Sequence, residues 1–301
     1  MVENPERENL DTYDYMYSRT AYPHASVERI TLWTLDGELE AIANDVSVKQ
    51  YFQNLIEETN LDVEHAYSVL RNMLIYGDAY VRLIRDEKGD IVRLHHLNPK
   101  IVEIECDESG KKISYATKLG DETRSYSPKD VLHFRWKPQQ NSPYGTSILK
   151  GLEPLVTRNN KIMQDFLKAF KAQARGRTVD FDSQRNLREL KAIPYAIAKH
   201  TQVPFGLLMM KIENEHLHSL QMKEFEKLCQ SLRDLIRNEI VEKIIKPETE
   251  RKGFREVASI GWKRKSKPSL EETKRIVKQI EQRTISVEEA RKQLGLTEYY
   301  V

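Results

Sequence analysis

The sequence predicts an α+β fold, and three observations carry that reading. The apolar period shortens from about four residues to two near residue 78, where helices give way to strands. An apolar stripe then recurs at three- and four-residue steps through Ile148, Leu152, Leu155, Ile162, Phe166 and Phe170, the pattern of one long helix. Helical periodicity returns at Met222, Phe225, Cys229, Leu232, Ile236 and Ile240, a second long helix.

Residues 1–25 are polar, tyrosine-rich and aperiodic, which predicts a flexible or partner-bound arm. Ser26 to Thr59 reads as helix through Leu32, Leu35, Leu39, Ile42 and Val46, with Gly37 allowing one helix or two. Val63, Ala66, Leu70, Met73 and Leu74 make one face of a helix that ends at Gly77. Strand patterns follow at Ala79–Arg85 and Ile91–Leu97, around an Asp86-to-Asp90 turn. Ile101–Cys106 and Ile113–Leu119 repeat this around Asp107-Glu108-Ser109-Gly110, and Arg124–Tyr126 and Val131–Trp136 flank Ser127-Pro128. The sum is a meander, as in a small barrel or a strongly twisted sheet.

Pro143-Tyr144-Gly145 signals a turn, Thr146 and Ser147 offer caps, and Pro154 predicts a kink or a restart in the long helix, which Gly176 would close. At that length it would run about 40 Å. Beyond it, Thr178–Phe181 and Phe205–Ile212 read as strands around a helix at Asn186–His200, a small α/β insertion. The second long helix should stop at Pro247. Capping-box patterns at Ser269 and Ser286 introduce two short C-terminal helices.

The chain has 301 residues, 39% hydrophobic and 31% charged, with a formal net charge of +2. That excludes a generally basic nucleic-acid binder and leaves local patches as the route to any such contact. Cys106 and Cys229 make no disulfide or metal framework, and a reducing compartment fits. No apolar run approaches the roughly 18 residues of a membrane span, and the acidic N-terminal segment does not read as a signal peptide. Between Lys150 and Arg177 the charge is lopsided, with seven Lys and Arg against Glu153 and Asp165. One reading is a core helix with a solvated basic face. The other is a helix that packs on copies of itself and faces a polyanion.

Nucleotide-binding loops of the Gly-x4-Gly-Lys-Ser/Thr type, Gly-x-Ser-x-Gly and His-Glu-x-x-His are all absent from the sequence, and no cofactor is expected. His216 and His218 would share a strand face but have no evident third metal ligand. His95 and His96 point to opposite strand faces and read as structural. Glu103 and Glu105 share a face, as a metal-dependent nuclease would want, but the strand lacks the accompanying lysine. The basic run Lys263 to Lys267 reads as a solvated loop.

Three segments together resemble the portal proteins of tailed bacterial and archaeal viruses. They are Leu74-Ile-Tyr-Gly-Asp-Ala-Tyr-Val81 with His96-Leu-Asn-Pro99; Tyr126-Ser-Pro-Lys-Asp-Val-Leu-His-Phe134 with Tyr144-Gly-Thr-Ser147; and Ile285-Ser-Val-Glu-Glu-Ala-Arg-Lys-Gln-Leu-Gly-Leu296. Their shared order, with the long helix between, carries the resemblance over roughly residues 60–175 and 220–296. It implies a portal-like fold: an arm at 1–25, a wing of helices and small β-barrel at 26–146, a first stem helix at 147–175, a clip at 176–218, a second stem or channel helix at 219–246, and a C-terminal wing and crown remnant at 247–301.

The resemblance also implies a homo-oligomeric ring, typically of about twelve subunits, at one capsid vertex of the virion, assembled in the host cytoplasm. Double-stranded DNA would pass through it during packaging and ejection. The expected partners are the large terminase subunit, the major capsid protein and a head-completion or tail adaptor protein. No catalytic residue is implied. Lys161, Lys168, Lys171, Arg175 and Arg177 are the candidates for the DNA channel. The chain is short for that family, with no clear tunnel loop after its second long helix. The alternatives are a metal-dependent DNA-processing enzyme using Glu103 and Glu105, and a protein-binding adaptor using the N-terminal arm.

Overall fold

The structure, a computed structural model, describes residues 10–61, 65–120, 122–138, 142–175, 183–209 and 214–263, together with Arg275, Ile276, Lys278, Gln279, Gln282 and Glu289. The expected strand at Thr178–Phe181, the two C-terminal helices as wholes, Gly176 and Arg177 lie outside the described residues.

Helices α1 (Leu10–Arg19) and α2 (Ala21–Thr34) come first. Leu10, Tyr13 and Met16 recur every third residue of α1 and are buried. Residues 10–25 are therefore packed helix and not the loose arm expected. Tyrosine composition hid the pattern, because a tyrosine ring can pack while its hydroxyl bonds a polar group. Tyr17 donates in this way to Glu28 Oε1 at 2.7 Å. Gly37 does break the next stretch, but into strand β1 (Glu38–Ile42) and not into another turn of helix. β1 pairs antiparallel with β8 (Ser259–Lys263). Helix α3 (Val46–Glu58) is capped by Asp45, whose carboxylate accepts from the backbone N–H groups of Ser47 and Val48.

Helix α4 (Ala66–Tyr76) ends at Gly77, as predicted, and the chain turns into β2 (Asp78–Arg85). β3 (Ile91–Leu97), β4 (Val102–Cys106), β5 (Lys112–Leu119), β6 (Glu122–Tyr126) and β7 (Val131–Arg135) follow. The β2–β3 and β4–β5 hairpins share one turn chemistry. Asp86 Oδ1 accepts from the N–H groups of Lys88 and Asp90, and Asp107 Oδ1 from those of Ser109 and Lys111. An aspartate at the first turn position thus organises each loop from within.

The six strands form two three-stranded sheets, β3–β2–β7 and β4–β5–β6. The expected last hairpin is not one: β6 pairs with β5, whereas β7 crosses over to pair with β2. The first sheet packs on α4 within the main core. A smaller separate core, including Tyr80, Val102, Tyr115 and Val131, lies between the sheets.

The long helix α5 (Glu153–Gln173) begins later than the sequence suggests and spans about 31 Å. Pro154 sits in its first turn, where a missing N–H breaks no hydrogen bond. The Ser147 hydroxyl instead accepts from Leu149 N at 3.0 Å, closing a separate turn upstream. Helix α6 (Ser183–Thr201) runs through Pro194, and α7 (Phe205–Met209) replaces the strand expected there. α6 packs on α5 and α2, with Ile193 and Ile197 in the main core.

Helix α8 (Glu215–Ile240) follows. It is continued, not stopped, by a π-helical turn at Val241–Ile245 and then α9 (Lys246–Lys252). Pro247 lacks the N–H that would close an ordinary α-turn, and the preceding turn widens accordingly. Glu248 on α9 is buried between Arg85 and Arg251. On α8, Arg233 donates to the terminal carbonyls of α2 at Trp33 and Thr34, a cation placed at a helix C-terminus.

The tightest backbone approach is at Gly77, with φ +84°. A Cβ there would lie 2.7 Å from the Gly145 carbonyl carbon, and one on Gly145 would lie 2.1 Å from Gly77 O. Gly77→Ala is expected to destabilise the protein by about 2–4 kcal/mol, read as a lower urea midpoint at unchanged slope.

Candidate functional site

Helix α5 carries two faces. At 100° per residue, Lys161, Lys168, Lys171 and Arg175 fall within an arc of about 80°, with Arg175 in the turn just past the helix. The adjoining arc is apolar along the whole helix, but its two halves differ. Leu152, Val156 and Ile162 are buried against the rest of the chain. Farther along, Met163 is 44% exposed, Leu167 50% and Phe170 62%. Leu217 and Leu220, one turn apart at the start of α8, are also exposed.

Of the four described basic candidates, Lys161 stands apart. It lines a groove of about 540 Å³ between α1 and α5, opposite Asp11 and Tyr15. Lys168, Lys171 and Arg175 lie on the exposed half. Lys168 Nζ is 3.6 Å from Asp165, a solvent-exposed pair that contributes little to stability.

The segment leading into α5 is held by a buried polar junction. Asp78 Oδ1 accepts from Gly145 N at 2.9 Å and from His133 Nε2 at 2.7 Å. Beside it, Leu74 O, which has no partner within α4, accepts from Ile148 N at 3.0 Å. Trp136 donates its N–H to Gly77 O and accepts on its own carbonyl from Thr146 N. The sequence patterns around Gly77-Asp78, His133 and Tyr144-Gly145 therefore meet at one point. The Glu239 carboxylate of α8 joins them by accepting from His133 N, and burial raises its pKa.

Residues 57–191 match the phage portal protein family model. Over that stretch, a little under half of its length, the chain is similar to phage portal proteins. That family is structural and not enzymatic. Three solved structures share the fold seen here. A chain in the neck of a native gene transfer agent particle, computed with C12 symmetry, has a TM-score of 0.63 at 15% identity, covering 98% of this chain and 95% of that one. A chain in the neck of the empty particle, computed with C6 symmetry, gives 0.64 at 15% identity, covering 95% and 94%. A chain in the virion of the native particle gives 0.62 at 14% identity, again covering 95% and 94%. No curated protein matches the chain.

The other residues singled out by sequence find ordinary surroundings in this chain. Glu103 pairs with Lys118 at 3.1 Å, and Glu105 accepts from the Ser114 hydroxyl. His216 and His218 lie on helix α8, where residues two apart do not share a face. Among the described residues no three metal-type ligands cluster, and no helix is long and apolar enough to cross a membrane. Cys106 and Cys229 are free thiols. Lys263 closes β8, and the rest of its basic run lies outside the described residues.

His95 is exposed, whereas His96 turns inward and stacks on His65 with ring centroids 4.7 Å apart. Burial, reinforced by His65, His95 and Arg71, lowers the His96 pKa to about 4. The unfolded chain then binds a proton near pH 6.5 that the folded chain refuses until about pH 4. Stability therefore falls as the pH drops through that interval. His96→Gln is expected to flatten this part of the curve of Tm against pH between 6.5 and 4.

Proposed function

We propose that copies of this chain close into a ring at one capsid vertex of a virion, and that double-stranded DNA passes through the ring during packaging and ejection. The observation that carries the reading is the far half of α5, where an exposed apolar arc runs beside a cationic one. The apolar arc calls for a neighbour, and side-by-side copies supply it by a head-to-tail contact that closes. The particle necks with this fold, computed with C12 and C6 symmetry, support a ring, and twelve subunits is the expected number.

The charge pattern suits a passage and not a grip. Duplex DNA carries one charge per about 1.7 Å, so a uniformly basic wall would bind it tightly. The chain as a whole carries only +2. Sparse rings formed by Lys168, Lys171, Arg175 and Arg177 would attract the duplex without holding it at one place. Energy for movement would come from the large terminase subunit docked at the 176–218 clip, with α8 as the second stem helix. A head-completion or tail adaptor would dock there later, and the wing at 26–146 would meet the major capsid protein.

Two paired variants test this. Leu167→Asp with Phe170→Asp should leave purified protein as subunits or fragments of rings in native mass spectrometry, with the helical content of the subunit retained. Lys168→Glu with Lys171→Glu should leave rings intact in electron micrographs and reduce DNA retention or packaging several-fold. Normal rings in the first case remove α5 from the subunit contact. Unchanged DNA handling in the second removes both lysines from the channel.

A further inference from the structure

The β4–β5–β6 sheet shares the smaller core with its neighbours, and charged and polar contacts tie it across: Arg82 lies over the Tyr126 ring at 4.9 Å, Ile104 N–H donates to the Tyr144 hydroxyl at 3.1 Å, and Lys112 meets His133. Lys112, the first residue of β5, places Nζ 2.5 Å from Nδ1 of His133 on β7. The His133 and Asp78 side chains are each only 2% exposed. Asp78, as a carboxylate, can only accept, so the ring proton of His133 sits on Nε2 and Nδ1 is left as the acceptor for Lys112. Two basic nitrogens at this separation have room for one hydrogen between them, not two.

We propose that Lys112 and His133 form a proton-operated latch between the β4–β5–β6 sheet and the body of the protein. The latch is closed while the imidazole carries one proton. A second proton must go on Nδ1, where it meets the lysine amine and breaks the contact. The groups facing the pair set the balance. Asp78 on β2 and Glu239 on α8 are acids, whereas Arg135 on β7 and Lys243 in the π-turn are cations. Tyr80 stacks on the His133 ring at 4.5 Å, and the Tyr115 hydroxyl lies 3.2 Å from Nδ1.

Burial and then Arg135 lower the Lys112 pKa to about 8, so little additional positive charge is tolerated beside it. Once released, the flexible lysine stem can swing to water. The sheet is then held by its small core, the Ile104 to Tyr144 hydrogen bond and the Arg82 to Tyr126 contact, without its lysine tie, and opens more readily as a local unit, separately from the main core.

The test is hydrogen exchange read by mass spectrometry on the full chain at pH 8, 6.5 and 5, as protection factors corrected for intrinsic rate. Protection over residues 102–126 should fall about tenfold from pH 8 to pH 5, while that of α2 falls much less. Lys112→Met should give the same profile over 102–126 at all three pH values. Lys112→Gln, which keeps a donor without the charge, should flatten it as well and guards against a folding failure in the first variant. Overturning results are a wild-type profile shared by the two lysine variants, or a fall over 102–126 no larger than that of α2.

Discussion

The fold turns on the Asp78 carboxylate. A buried charge is tolerated only when donors surround it, so its position is dictated by where donors can reach. Two of those donors come from segments far away in the chain, the Gly145 amide and the His133 ring. By meeting both, Asp78 ties the end of α4 to strand β7 and to the turn that launches the long helix. Gly77 and Gly145 let the two backbones touch there, at a distance no side chain would allow. His133 then passes the constraint on through its backbone N–H to Glu239, which fixes α8 relative to the sheet.

The long helix is divided by what covers it. Its first half is anchored by burial of Leu152, Val156 and Ile162, and apolar burial contributes roughly 25 cal/mol per Å². Its second half repeats the same apolar spacing with Met163, Leu167 and Phe170 left largely to solvent. In proteins most helical stability comes from tertiary packing of an apolar face, and this half lacks it within the described residues. Ring closure, as proposed, would supply that packing from the next copy, so that subunit stability and assembly are coupled. The cationic arc is a separate matter. Like charges along one face repel, and a polyanion in the proposed channel would relieve that repulsion.

Much of the fold was legible because local chemistry decides it. The helix end at Gly77, the two hairpins and the strand limits each depend on residues only a few positions apart. An aspartate with a nearby glycine closes a turn whatever surrounds it. Other elements depended on distant partners. β1 has only five residues, and it is a strand because β8, near the other end of the described chain, pairs with it. The segment 10–25 looked polar because its buried face is partly built from tyrosine. Phe205 to Met209 had the composition of a strand and became helix beside α6.

The candidate site divides in the same way. The apolar stripe and the local excess of positive charge could be read directly, since helical periodicity places residues on faces without knowledge of the rest. Which half of the stripe would be covered could not, because coverage comes from α1 and α6. Lys161 and Lys168 look equivalent in the sequence, yet one lines a groove beside α1 and the other stands on the open half of the helix. Sequence alone determined the two long helices, the helix end at Gly77, the strands from residue 78 to 135, their turns and the family resemblance, since these rest on short-range pattern. Only the tertiary structure decided the split into two sheets, the burial of Asp78 and the exposure of the distal apolar arc, because each depends on which distant segment comes to lie alongside.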